Sequence, residues 1–332
     1  MTDLTAVAKA FERFAVDCHD SSPIYERLSL SIVGDQELLA LAAYADAGRK
    51  QPIPNLLFAA VRFLEGDVGS IEAFRAFCLS HAAEIQAILQ TRRVQTNEVG
   101  RCAYLLPAFV VASVSCAGRP LAVIEVGTSA GLLLNWDLYG YRYSGVEAVG
   151  NSNSPVQLSC ELRGAALPPL PNTMPGISSK LGIDLHIINL TDENERRWLQ
   201  SLVWPEHQDR ANLLAAAIGV QRQHAVRLMN GDGLELLPQV LAGISQSSIA
   251  CVFHTAVLNQ FPRENRAVFS NLLAEYGEAN DLAWISAEMA PGAPSIVQVE
   301  VTTWLNANRH HQILARAHPH GRWLEWTASA NY

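Results

Sequence analysis

Leu121-Ala-Val-Ile-Glu-Val-Gly-Thr-Ser-Ala-Gly-Leu-Leu-Leu-Asn-Trp-Asp-Leu-Tyr139 carries the clearest mark of the chain's architecture. Leu121 to Val126 is an apolar run interrupted only by Glu125, and it reads as a short buried strand. Gly127 to Gly131 is a turn of small residues, after which Leu132 to Tyr139 reads as the start of a helix. Strand, small-residue turn and helix together form the unit with which α/β proteins bring backbone close to a ligand at a helix N-terminus. Glu125 stands out, because a carboxylate near the end of an apolar strand needs a reason to be there.

Upstream, the chain reads as helices. Leu4, Val7, Ala8, Phe11, Phe14 and Ala15 repeat at helical spacing. Ser21-Ser22-Pro23 supplies a cap followed by a first-turn proline. Asp35 opens a further helix, Gly48 to Pro54 reads as a loop, and helices are expected next at 55–64, 71–89 and about 98–115. Gly118-Arg-Pro120 punctuates the change, and beyond it strands and helices alternate. Strands are expected at 183–190, 225–229, 249–257 and 282–286, with helices between them. Residues 297–305, 312–317 and 323–327 read as antiparallel strands. This pattern implies two domains: a helical one over 1–118, and an α/β one over 119–332 with an irregular insertion at about 140–180. Alternating β and α with an antiparallel finish implies a doubly wound sheet with helices on both faces.

Composition narrows the function classes. The 332 residues are 49% apolar and carry a net charge of −8, so a large core is available and duplex nucleic acid is disfavoured as a partner. The six cysteines are scattered singly with no C-x-x-C pair, which fits reduced, buried thiols in a cytoplasmic protein better than a metal ribbon. The start of the chain lacks the apolar segment of a signal peptide, and no run reaches membrane-spanning length, so no membrane partner is expected. His310, His311, His318 and His320 suggest metal only by their number, and no metal is expected. The oligomeric state is not legible.

In a parallel sheet, ligands bind outside the carboxyl ends of the strands. Asp192, Asp232 and Glu288 each come after an expected strand, and His254 lies near the end of another. An acid at one strand end alone is most simply a helix cap. A series of them suits a ligand bearing ribose hydroxyls and an exocyclic amine. This pattern resembles the class I S-adenosylmethionine-dependent methyltransferases. That resemblance implies a Rossmann-like sheet closed by an antiparallel C-terminal hairpin, here preceded by an all-α N-terminal domain. It also implies S-adenosylmethionine as cofactor, held by Glu125, Gly127, Ser129, Gly131, Asp192 and Asp232. If 156–162 were the second strand, Glu161 would replace Asp192 at the ribose. Ser22–Leu28, Pro54–Val61, Arg92–Arg101, Glu125–Leu132, Gly182–Leu185, Arg197–Leu199, Val203–Pro205 and Val252–Val257 further resemble a bacterial family of unknown function regarded as methyltransferase-like. Such sequences often read Gly-Leu-Asn where this chain has Leu133-Leu134-Asn135, which shifts the asparagine.

Gly127-Thr-Ser-Ala-Gly131 also fits G-x-S-x-G, the nucleophile elbow of serine hydrolases, with Ser129 as nucleophile and Asp232-Gly233 as a patatin-like aspartate. Against this, no glycine-rich oxyanion loop precedes it, and Glu125 would oppose developing negative charge. A non-catalytic nucleotide-binding protein is the third reading. Asn97, Glu98 and Arg101 form a polar patch at an expected helix start, either capping it or reaching from the helical domain into a ligand pocket. The expected roles are Glu98, Arg101 and His254 in catalysis, with His254 as general base, and Asn97, Asn135 and Glu288 toward a small-molecule substrate.

Overall fold

In the computed structural model, which describes residues 4–46, 51–95 and 97–329, β1 (Leu121–Val126) is buried along its whole length. Parallel neighbours flank it: β5 (Ile177–Asp184) on one side and β7 (Ile249–Thr255) on the other. β6 (Arg227–Asn230) continues the parallel array beyond β5, and β8 (Leu282–Ala290) continues it beyond β7. β9 (Ala293–Leu305), β10 (Asn308–Ala317) and β11 (Trp323–Trp326) then add as an antiparallel meander. The expected 140–180 insertion is not irregular. It carries β2 (Gly140–Tyr143), β3 (Val149–Gly150) and β4 (Gln157–Arg163), and β4 pairs in parallel with β11. The eleven strands run β3-β2-β4-β11-β10-β9-β8-β7-β1-β5-β6.

Strand alternation sends successive side chains to opposite faces. Ile124, Val126, Ala250, Val252 and Leu282 share one face with Leu237 and Leu241 of α10 (Gly233–Ala242) and with Phe269 and Leu273 of α11 (Arg263–Ala279). Phe253 faces the other way and meets Phe109 of α7 (Cys102–Ser115) edge-on, with ring centroids 5.2 Å apart. Phe109 in turn stacks on Trp136 at 4.2 Å. Helices therefore cover both faces, as the alternation of β and α predicts.

The chain divides into two compact units, but not at residue 118. One comprises residues 1–96 with 189–215, and the other 97–188 with 216–332. α7 therefore belongs to the sheet unit, and the second boundary falls inside α9 (Gln208–Gln223).

The helical unit holds α1 (Leu4–Cys18), α2 (Pro23–Val33), α3 (Gln36–Ala42), α4 (Ile53–Phe63), α5 (Ile71–Ser80), α6 (Ala82–Thr91) and α8 (Glu193–Ser201). The single helix expected over 71–89 is thus two, broken at His81. The loop expected at Gly48–Pro54 lies partly outside the described residues. Ser22 caps α2 as its position before Pro23 predicts, accepting from Tyr25 N, and its hydroxyl donates to Glu206. Tyr25 stacks on Phe58 at 4.3 Å in a core shared with Phe11, Phe74 and Trp198. Arg92 lies over the rings of Phe63 and Trp198 and pairs with Glu195.

Candidate functional site at the carboxyl edge of the sheet

Strand order reverses on either side of β1: the chain moves out through β5 and β6, then returns to place β7 and β8 on the opposite side. In open α/β sheets such a reversal opens a crevice at the carboxyl ends of the strands. Gly127–Gly131 lies at that end. Gly127, Ser129 and Gly131 have φ of 80°, 51° and 75°, so the turn is built from left-handed backbone, and Ser129 tolerates it without being glycine. The glycines here serve packing. A Cβ on Gly127 would stand 2.3 Å from Val257 Cγ2, and one on Gly131 would meet Gln221, Leu228 and Val226 at 3.0–3.1 Å.

The loop amides are bonded within the protein. Gly127 and Thr128 N–H donate to the Ile183 carbonyl, Ser129 N–H to Asp184 Oδ2 at 2.8 Å, Ala130 N–H to Asn97 Oδ1 at 3.2 Å and Gly131 N–H to the Thr128 carbonyl. The next element is a 3₁₀ helix, Leu132–Leu138, broken at Asn135, rather than an α-helix with an open N-terminus. The loop therefore presents the side chains that brace it rather than free backbone donors.

Those side chains correct the expected set of acids. The strand after the insertion is β5, which ends at Asp184; the expected strand 183–190 is mostly loop. Asp184 is half-buried and takes Ser129 N–H on one oxygen and His186 N–H on the other at 2.8 Å. Asp192 belongs to the helical unit, where it caps α8 by accepting from Asn194 and Glu195 N–H. Glu161 is exposed on β4 and pairs with Arg163; β4 lies six places from β1 in the sheet. Asp232 comes after β6 at the carboxyl end as expected, and it caps α10 through Leu234 N–H at 2.8 Å. Glu125 is 2% exposed and accepts from Thr128 Oγ1 at 2.6 Å. Burial pushes its pKa up to about 8; the Thr128 bond opposes that rise and the charge of Asp184 adds to it.

Residues 97–101 belong to the sheet unit, so the reading that the helical domain reaches in with them does not hold. Asn97 braces the glycine loop twice: Oδ1 accepts from Ala130 N–H, and Nδ2 donates to Ser129 Oγ at 2.8 Å. Arg101 donates to the Thr255 carbonyl at 3.1 Å and to Thr255 Oγ1 at 2.9 Å, which ties the segment to the end of β7. Glu98, 5% exposed, places Oε2 2.9 Å from His320 Nδ1. Gly100 and Gly321 touch backbone to backbone, where a Cβ on Gly321 would lie 1.9 Å from the Gly100 carbonyl oxygen. The expected helix at 98–115 accordingly starts as a 3₁₀ turn, Val99–Arg101, before α7.

His254 is fully buried, with both ring nitrogens engaged. Nδ1 is 2.7 Å from Glu288 Oε1, and Nε2 accepts from Trp284 Nε1 at 3.0 Å. A base needs a free lone pair, so His254 is a core residue and not the expected general base. Glu288 also accepts from Val257 and Leu258 N–H; burial works to raise its pKa, but these bonds and His254 hold it below the ordinary carboxylate range. Both residues brace the turn after β7. Asn135, expected to face substrate, is fully buried between Gln221, His224 and Lys180.

Among the described residues, no group of three or more His, Cys, Asp or Glu is arranged to hold a metal ion, and no helix is long and apolar enough to cross a membrane. All six cysteines are buried and free, with thiol pKa values raised by burial, to about 12 at Cys18 and Cys78. Asp184 and Thr255 were not singled out from sequence, and His320 was weighed only as a metal ligand. The first follows Gly182, which lies so close to Thr128 that a Cβ would stand 2.5 Å from its hydroxyl, and that approach is made by strand pairing rather than by any local signal.

No curated protein and no solved structure matches the chain. A family model described as an uncharacterized protein conserved in bacteria (DUF2332) matches residues 8–326. With nearly its whole length covered, from α1 to β11, the chain belongs to that bacterial family.

Proposed function

We propose that this protein is an S-adenosylmethionine-dependent methyltransferase acting on a small molecule. The observation that carries the reading is the parallel array β6-β5-β1-β7-β8, with its reversal at β1 and acids at the carboxyl ends of β1, β5 and β6. The donor set fits the cofactor's chemistry. Asp184 is the acid for the ribose hydroxyls in place of Asp192, Asp232 is the acceptor for the adenine amine, and Asn97 and Ser129 face the amino-acid end. Glu125, Gly127 and Gly131 shape the loop from beneath. When bound, the cofactor would supply an electrophilic sulfonium methyl group for transfer to an acceptor oxygen or nitrogen. The chain's own contribution is to orient the two reactants and take up a proton. The net charge of −8 favours a small acceptor over nucleic acid, and single buried thiols suit a cytoplasmic setting.

Calorimetry with S-adenosylhomocysteine tests the reading: the wild type is expected to bind, and Gly127→Arg to lose binding. Absence of heat with a folded wild type defeats it. Binding without transfer to any acceptor would instead identify a nucleotide-binding protein.

One observation favours a serine hydrolase, the left-handed backbone of Ser129. Its hydroxyl, however, accepts from Asn97. A fluorophosphonate probe is therefore expected to leave Ser129 unlabelled, and labelling there would reverse the choice.

A further inference from the structure

With His254 locked in the core, the sheet unit needs another group to take a proton at its carboxyl edge. We infer that His320, backed by the buried carboxylate of Glu98, is the proton-accepting residue for an acceptor O–H or N–H. This inference rests on the methyl-transfer reading.

His320 comes after the end of β10, which runs parallel to β8, so the His318–Gly321 turn lies at the same edge as the glycine loop. Its Nδ1 is buried 2.9 Å from Glu98 Oε2, while the side chain as a whole is 34% exposed, so its exposure falls on atoms other than Nδ1. The contact has ion-pair length without the alignment of a hydrogen bond, and contacts of this kind tighten when a site holds its substrate. A carboxylate at Nδ1 holds the proton there and leaves the Nε2 lone pair free.

The turn is built to hold that ring. His320 N–H donates to His318 Nδ1 at 3.0 Å, Gly321 N–H donates to the His318 carbonyl at 2.8 Å, and Arg101 reaches the Pro319 carbonyl at 3.4 Å. Gly321, at φ 71°, admits the Gly100 backbone. Glu98 adjoins Asn97, whose side chain braces the glycine loop, so consecutive residues tie the base and the loop together. The charged and titratable groups around the turn are Glu98, Arg101, His318, Arg163 and Arg322. In the step, the acceptor's X–H bond breaks, its proton bonds to His320 Nε2 and the electron pair stays on X. The imidazolium that forms is balanced by Glu98.

The test is nitrogen NMR on full-length protein labelled with 15N-histidine, with His320→Gln assigning the resonances. Neutral His320 is expected as a single Nδ1–H tautomer, and Glu98→Gln is expected to convert it to a mixture. Added S-adenosylhomocysteine is expected to shift the His320 signals and leave those of exposed His310 in place. An Nε2–H tautomer in the wild type overturns the proposal without any variant having to fold, as does a His320 signal that bound S-adenosylhomocysteine leaves unmoved. If the tautomer is as expected and calorimetry shows no binding, Glu98 still orients His320, but the methyl-transfer reading falls and the proton-accepting role falls with it.

Discussion

At the scale of single residues, Glu125 makes the sharpest prediction. Its carboxyl is buried, and its pKa rises from 4.5 to about 8 on folding. The folded state therefore holds a proton that the unfolded chain releases. The contribution is full below about pH 4.5 and is lost as pH rises to about 8. Glu125→Gln keeps the shape and the Thr128 contact without the charge. Thermal melts across that window are expected to show wild type losing stability relative to the variant as pH rises; parallel curves would show that Glu125 stays ionised. Asp184 and Asp192 make a paired test. Removing Asp184 by Asp184→Ala deletes the proposed ribose acid and is expected to weaken S-adenosylhomocysteine at least about tenfold, the worth of one charged hydrogen bond. Asp192→Ala is expected to cost only about 1 kcal/mol of cap energy and leave the affinity unchanged. Calorimetry and melts on both variants separate the two roles, and the reverse pattern would restore Asp192.

Elements were legible where their signals are local. Helical spacing, the Ser22 cap before Pro23, the Asp192 and Asp232 caps and the apolar β1 and β7 all appear in the structure as the residues imply. β5 was not, for a physical reason. Its first half, Ile177-Ser-Ser-Lys180, is mostly polar and only partly buried, whereas apolar residues beyond its end, such as Ile188 and Leu190, are buried from a loop. Apolarity marks burial, and burial does not require a strand. The glycine turn carries a prediction at this scale. Gly127→Ala meets Val257 and also strains φ, and the two effects together are expected to cost about 3 kcal/mol. Adding Val257→Ala should recover roughly half, because it relieves the clash and leaves the backbone strain. Denaturant melts of the single and double variants check this, and full recovery would mean that the backbone is unstrained.

For the whole molecule, the decisive fact is that each compact unit is assembled from distant segments. Trp198 and the α8 segment complete a core whose other helices end about a hundred residues earlier; Trp198 Nε1 bonds the Arg93 carbonyl, and Glu206 holds the start of α2. A fragment ending at residue 118 lacks all of these. It is expected to show helical circular dichroism without a cooperative melt, and a sharp two-state transition in that fragment would show that α8 is dispensable.

The α/β class, the helical first third, β1 with its small-residue turn, and an antiparallel finish are written in the order of residues alone, because periodicity, capping and turn chemistry act within a few residues. Long-range packing set which acid stands beside that turn, which histidine is locked in the core, and where the units divide. Asp184 approaches Ser129 across 55 positions of chain, and Glu98 meets His320 across far more. Such pairings arise from strand order and from backbone contacts like Gly100 on Gly321, which no local pattern encodes.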